Sequence, residues 1–242
     1  MNTPFQYIPS GDSAFIIKVG TEISPEINRT IRKLLVRIEQ EKLDGILDFV
    51  PAYNELMICY DPVKLGYRKL LDTLRSLEKD VEAVELPPAS VVHVPVVYGG
   101  PFGEDLAEVA QTNLLSEEEV IRIHTSTDYL IYMLGFTPGF CYLGGMDERI
   151  ATPRRQSPRM KIPAGAVGIA DQQTGIYPIE SPGGWQLIGR TPLLLFDPVR
   201  KPEFLFQAGD YIRFYPVTEE EFQHMSEEIK TGSFNPETTK LV

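Results

Sequence analysis

Between Gly135 and Pro192 the chain is broken every few residues by glycine or proline. Proline lacks a backbone N–H and clashes with the preceding turn, and each glycine costs a helix about 1 kcal/mol. No long helix grows through such a stretch. Short strands joined by tight corners remain, and strands of that kind close into a barrel or a sandwich. Ile176–Glu180, Trp185–Arg190, Leu193–Phe196 and Tyr211–Phe214 read as the clearest of them. Short helices read near Glu104–Ala110 and Glu117–His124, the second with a capping box of Ser116 and Glu119. A last helix starts at Thr218, where Glu221 completes another box, and the tail beyond Lys230 reads as loose.

The first half has a different character. Phe5–Pro9 and Ala14–Val19 flank Ser10-Gly11-Asp12, a hairpin signal. Ser24 caps a helix with Pro25 at its first position. Ile27, Ile31, Leu34, Leu35 and Ile38 give that helix one buried face. Ile46–Val50 and Leu56–Tyr60 read as strands around Ala52-Tyr53-Asn54. A second helix carries Tyr67, Leu70, Leu71, Leu74 and Leu77, and Val81–Leu86 reads as a closing strand. The order βαββαβ with one leading strand predicts a ferredoxin-like sandwich, a fold that hosts many functions. Leu86-Pro87-Pro88-Ala89-Ser90 is the expected boundary, stiffened by its two prolines.

At 242 residues the chain is long enough for one large or two modest domains, and 43% hydrophobic with 24% charged residues is an ordinary globular balance. A net charge of −11 argues against nucleic acid and anionic membranes as partners. No apolar run reaches the ~18 residues of a membrane span. Met1-Asn2-Thr3-Pro4-Phe5 has neither the basic nor the apolar region of a signal peptide, so a cytoplasmic location is expected. The two cysteines, Cys59 and Cys141, form no C-x-x-C, and His93, His124 and His224 share no ligand spacing. No disulfide framework, metal site or organic cofactor is expected in the chain.

Candidate chemistry concentrates in residues 135–191. Arg149, Arg154, Arg155, Arg159 and Lys161 run without an intervening acid, a candidate anion site that a solvated or ion-paired loop would equally explain. Gln173, in Gln172-Gln173-Thr174-Gly175, and Gln186 are suited to reading an amide or lactam. Trp185, the sole tryptophan, is either a flat platform or a core residue. Glu180 is a candidate base. His124, at a helix end, either orients a catalytic group or caps the helix. Cys141 has no local histidine partner. No Walker A loop, G-x-G-x-x-G, G-x-S-x-G or H-E-x-x-H occurs, so no catalytic residue is assigned. Any nucleotide site is unconventional or shared with another chain.

Several runs carry a resemblance. Tyr132-Met133-Leu134-Gly135-Phe136-Thr137-Pro138-Gly139-Phe140 is followed by Tyr142-Leu143-Gly144-Gly145, Ala151-Thr152-Pro153-Arg154-Arg155 and Ile162-Pro163-Ala164-Gly165. Val167-Gly168-Ile169-Ala170, Gln173-Thr174-Gly175-Ile176-Tyr177-Pro178 and Ser181-Pro182-Gly183-Gly184-Trp185-Gln186-Leu187-Ile188-Gly189-Arg190-Thr191-Pro192 continue it. Together they resemble the KipI / PxpB / allophanate hydrolase subunit 1 family over nearly the whole chain. Cys141 stands where that pattern has proline, Ala166 where it has serine, and Asp171-Gln172 where it has a glycine pair.

The resemblance implies a ferredoxin-like domain over 1–87 and a cyclophilin-like β-barrel over 91–242. It implies one component of an ATP-dependent 5-oxoprolinase, inactive alone. That component opens 5-oxo-L-proline to L-glutamate with a KipA/PxpC-like and a PxpA-like partner. ATP is then a substrate of the complex. For a planar lactam bearing a carboxylate, Arg154, Arg159 and Arg190 are expected to contact the anion. Gln173 and Gln186 would read the amide, and Trp185 would pack on ligand or partner. Two alternatives accompany this expectation. One is an inhibitor of a sensor histidine kinase, and the other is a carboxyltransferase-related component of urea or allophanate metabolism. Neighbouring genes discriminate among them. The absence of a biotin-attachment module and of an amidase Ser-Ser-Lys set weighs against a self-sufficient urea enzyme.

Overall fold

The computed structural model describes residues 5–241, so Met1-Asn2-Thr3-Pro4 and Val242 lie outside it. The chain divides into two compact units, the first ending at Pro88 and the second beginning at Ala89. Among the described residues, no helix is long and apolar enough to cross a membrane.

The first unit lays two helices on one antiparallel sheet. Strands β1 (Gln6–Ser10) and β2 (Ala14–Lys18) form the expected hairpin, with Gly11 at φ +68° in its turn. Helix α1 (Pro25–Gln40) begins where Ser24 stays extended and its hydroxyl accepts from Ile27 N at 3.2 Å. That bond satisfies one of the helix's orphan N–H groups. Strands β3 (Ile46–Pro51) and β4 (Glu55–Tyr60) follow, then α2 (Tyr67–Glu78). Ile31, Leu34 and Ile38 of α1 and Leu70, Leu74 and Leu77 of α2 share one core with Phe15, Ile17, Leu56 and Ile58 of the sheet.

The sheet order is β1-β2-β4-β3. The strand expected over Val81–Leu86 does not form. Val81–Ala83 is a 3-10 turn, and residues 84–89 join no ladder among the described residues. Two causes are visible. β1 already occupies the outer edge of β2 along its whole length. The buried Lys33 ammonium also holds the segment, donating to Glu82 O at 2.9 Å and to its carboxylate at 3.0 Å.

The second unit is built on β5 (Ser90–Tyr98), a strand hidden from alternation analysis because both its faces are covered. After a 3-10 turn at Gly100–Phe102 come α3 (Leu106–Thr112), α4 (Glu117–Thr125), β6 (Tyr129–Leu134), β7 (Cys141–Gly144) and β8 (Arg159–Ile162). Then follow β9 (Ala166–Ala170), β10 (Gln173–Ile176), β11 (Ser181–Gly183), β12 (Gln186–Arg190), β13 (Tyr211–Pro216), α5 (Glu219–Thr231) and β14 (Thr238–Lys240).

The main sheet runs β10-β9-β12-β5-β13-β6-β7, with β14 also on β5. Among the described residues, only the β5–β13 pair of this sheet is parallel. Its end strands, β10 and β7, lie against each other, so the sheet is a nearly closed barrel. β8 and β11 form a separate ribbon. Both expected capping boxes are present, at Ser116/Glu119 and Thr218/Glu221.

Three stretches depart from expectation. Ile176–Glu180 is not a strand. The ladder with β9 runs out after Ile176, where Tyr177 N donates to Ala166 O and Tyr177 O accepts from Gly165 N, and Pro178 follows. Leu193–Phe196 is not a strand either. Leu195 and Asp197 bond Leu205 and Glu203 locally, leaving one bridge from Phe196 to Phe204. The tail beyond Lys230 is ordered by pairing: Gly232 caps α5 at φ +74°, and Thr238–Lys240 adds to β5.

Candidate functional site

The loop before β8 and the entry to β12 are registered against each other around two residues. Gln186 Nε2 donates to Pro153 O at 3.0 Å, and Arg155 N donates to Gly184 O at 2.7 Å. Arg154 and Trp185 sit between those bonds, one on each segment. The Arg154 guanidinium lies over the indole, 6.0 Å from the ring centroid, a distance at which the π face attracts a cation.

The indole is held by its surroundings. Phe140 and Tyr177 pack edge-on to it at 6.1 and 6.0 Å. A methyl group at Gly175 would stand 3.1 Å from the ring, so glycine lets the indole rest on β10. Burial raises the Tyr177 phenol pKa, an effect offset in part by its bond with the Trp185 backbone and by the Arg154 and Arg159 cations. From Phe140 the aromatic row extends to Tyr142 at 5.1 Å and Phe136 at 5.9 Å. Phe136 is 80% exposed on a backbone at φ +65°, where a bulky side chain is strained. Bonds from Gly135 N to Phe140 O, Thr137 N to Gly135 O and Phe140 N to Thr137 O hold that loop.

The basic cluster separates by partner. Arg149 is chelated by Asp147, whose carboxyl is held down to about 2, chiefly by that side-chain bond. Lys161 pairs with Glu180 at 3.1 Å on the surface. Arg155 and Arg159 both turn to Asp105, a buried carboxylate. Its Oδ1 accepts from Arg155 Nη1 and Arg159 Nη2, each at 2.8 Å. Its Oδ2 accepts from Arg159 Nη1 at 2.9 Å and from Leu187 N at 2.6 Å. The bond to Asp105 is also the main reason the Arg159 pKa is raised. Arg154 differs: it is 58% exposed, and its ion pair, to Asp171, is long at 3.5 Å. Of the expected anion contacts, Arg154 therefore faces outward beside Trp185, and Arg159 faces the Asp105 clamp.

The remaining expected residues spread along two strands. Gln186 is only 3% exposed, and its Oε1 has no hydrogen-bond partner among the described residues. Gln173 starts β10 opposite Ala170, at the turn formed by Asp171 and Gln172. Arg190 stands at the far end of β12, about 13 Å along the strand from Gln186. It donates from Nε to Ala164 O at 3.0 Å. Glu180 is engaged with Lys161.

His124 neither caps α4 nor faces a ligand. It is fully buried, stacked on Phe214 at 4.6 Å, with Tyr98 Oη 2.8 Å from Nδ1 and Thr174 Oγ1 2.8 Å from Nε2. Thr174 donates its own proton to Gly168 O, so it accepts from Nε2–H, and the phenol donates to Nδ1. Burial lowers the His124 pKa to about 3. The Cys141 thiol is buried and its pKa is pushed up by that burial, which leaves it a poor nucleophile.

The sequence reading missed Asp105 and gave Phe136 no role. Asp105 looks like an ordinary acid ahead of a short helix. The signal that could have found it is Gly103 close by, where a Cβ would stand 2.1 Å from Ile188 O, marking contact between that turn and β12. Among the described residues, no group of acids, histidines and cysteines is arranged to hold a metal.

This architecture has relatives. Residues 5–206 match the carboxyltransferase domain, subdomain C and D. A Bacillus subtilis protein named as the B component of 5-oxoprolinase is 45% identical over 94% of this chain and 99% of its own. The Escherichia coli O157:H7 protein of the same name is 41% identical over 86% and 94%. The crystal structure of the K. lactis urea amidolyase superposes with a TM-score of 0.78 at 22% identity, over 98% of this chain and 16% of that one, a likeness of fold alone. With the carboxyltransferase pattern spanning most of its length and near full-length relatives above 40% identity, the chain belongs to the family of 5-oxoprolinase B components.

Proposed function

We propose that this protein is the B component of an ATP-dependent 5-oxoprolinase that opens 5-oxo-L-proline to L-glutamate. The observation that carries the reading is the near full-length similarity to the Bacillus subtilis B component. The Arg154–Trp185 pair supports it. 5-Oxoproline is a flat lactam with one carboxylate. The indole offers a face for the ring, and Arg154 offers a cation at its edge. Gln186 is buried with its Nε2 on Pro153 O and supports the pair from behind, and Gln173 stands on the neighbouring hairpin. Arg159 and Arg190 act behind this pair, through Asp105 and Ala164.

Lactam hydrolysis coupled to ATP proceeds by phosphorylating the amide oxygen, which is work of positioning and charge neutralisation. The chain carries no phosphate loop, so the nucleotide is bound together with KipA/PxpC-like and PxpA-like subunits, and this chain alone is inactive. In this reading the first unit is a ferredoxin-like variant whose leading strand fills the edge of the missing last strand. The second is a cyclophilin-like barrel, and the protein works in the cytoplasm.

The test is reconstitution. The chain, co-purified with both partners, is assayed for ATP-dependent glutamate formation from 5-oxoproline, with Gln173→Ala in parallel. Activity in the full set and none in the chain alone is expected. Turnover of 5-oxoproline by the purified chain would overturn the reading of one component among several.

A further inference from the structure

We propose that Asp105 is a positioning residue: its buried carboxylate sets the geometry of Arg154 over Trp185. The proposal rests on the reading of that pair as the ligand-facing surface. Asp105 precedes α3 but does not cap it, and its side chain bonds elsewhere. One oxygen serves Arg155, the residue after Arg154, and the other serves Leu187 N, two residues after Trp185. Arg159 bridges both oxygens. The backbone of Asp105 repeats the tie, donating from N to Leu187 O at 2.9 Å. The anion therefore adds a charged rivet between the two segments that carry Arg154 and Trp185, beside the bonds of Gln186 to Pro153 and of Arg155 to Gly184.

Charge makes the rivet specific. Two guanidinium groups converge on a carboxylate with almost no solvent access, and each bond is charge-assisted. Removing the carboxylate takes the shared buried anion from two partly buried cations and leaves them the exposed carboxylates of Glu108, 3.9 Å from Arg155, and Glu104, 3.1 Å from Arg159. The loop of residues 153–159 then swings toward water. Arg154, held by its backbone neighbours, the indole face and the long pair with Asp171, is carried off the indole with the loop.

Trp185 is the sole tryptophan, so its emission reports this geometry directly. A guanidinium over the indole attracts iodide and is indifferent to acrylamide. The full-length chain and its Asp105→Asn, Arg154→Ala and Arg159→Gln variants are compared by iodide and acrylamide quenching. The same variants are assayed for KM and kcat with 5-oxoproline in the reconstituted complex. In Asp105→Asn the iodide-to-acrylamide ratio is expected to fall to the Arg154→Ala value, and KM to rise about tenfold. A purely structural Asp105 would lower the melting temperature but leave that ratio at wild type, and this result overturns the proposal. If Asp105→Asn does not fold, Arg159→Gln decides, because it cuts only one arm: a lowered ratio supports the rivet and an unchanged one overturns it. The underlying reading fails separately. In that case Arg154→Ala keeps wild-type KM whatever Asp105→Asn does to the quenching.

Discussion

Arg154 lies over the ring of Trp185, and the hydrogen bonds that fix the pair come from their neighbours, Pro153 to Gln186 and Arg155 to Gly184. Neither side chain is spent on holding the other's backbone.

Arg154→Ala is expected to lower kcat/KM for 5-oxoproline in the reconstituted complex by about 10- to 100-fold, the worth of one charge-assisted contact. The melting temperature should barely move, since Arg154 is mostly exposed. Arg154→Lys restores the charge without the planar fork and recovers only part of the loss. Full activity in Arg154→Ala would remove this surface from the mechanism.

How much of this was legible beforehand depended on sequence distance. The helices were, because Ser24, Pro25, Ser116 and Thr218 are local signals and the apolar period is local too. The density of glycine and proline around Trp185 also marked the segments whose corners bring Arg154 and Trp185 together. Which arginine faces outward was not. The acid that claims Arg155 and Arg159 lies 50 and 54 residues upstream, and nothing in the cluster's own spacing announces it. β5 escaped for another reason. Both its faces are covered, so Val91 to Val97 show no alternation, and Pro95 argues against a strand until its place beside Tyr215 is seen. The strand expected over Val81–Leu86 failed because a sheet edge was already taken, a fact that local propensity cannot register.

His124 predicts an acid sensitivity. Its pKa is lowered by burial from 6.5 to about 3, so below pH 6.5 the unfolded chain takes up a proton that the folded chain refuses. Stability from this group is complete above pH 6.5 and falls as pH drops toward 3, by about 1.4 kcal/mol per pH unit. Between pH 6.5 and 5 that is about 2 kcal/mol. Denaturant titrations of wild type and His124→Gln at both pH values isolate it. The variant is less stable at pH 7, having lost the bonds to Tyr98 and Thr174, but should lack this slope. Equal slopes in the two proteins would show that His124 takes up its proton while folded.

Phe136 separates backbone strain from side-chain loss. Glycine and alanine at this position both delete the ring and its contact with Phe140 at 5.9 Å, and differ in their tolerance of φ +65°. Phe136→Gly should therefore be more stable than Phe136→Ala by about 1 kcal/mol, or roughly 2–4 °C in melting temperature. The opposite order is the ordinary one, because glycine loses more freedom on folding. Finding alanine the more stable would mean that the loop relaxes and stores no strain.

Asp171 makes the last prediction, because its carboxylate shares the cation proposed to meet the ligand. It sits at φ +54° in the turn between β9 and β10, fixed by the reciprocal bonds of Asp171 N and O with Thr152. Its carboxylate lies 3.5 Å from Arg154 Nε. A 5-oxoproline carboxylate binding Arg154 must displace or share that contact. Asp171→Asn keeps the shape and the tolerance for positive φ but removes the charge. An exposed pair is worth about 0.2–1 kcal/mol, so the KM for 5-oxoproline should fall up to about fivefold, and raised salt should narrow the gain by screening. Asp171→Ala removes the same charge at a backbone angle that alanine resists, so it should match the change in KM while melting lower. A weaker response in Asp171→Asn would mean that its carboxylate holds Arg154 in place for the ligand, and the roles of Asp171 and Asp105 would then be alike.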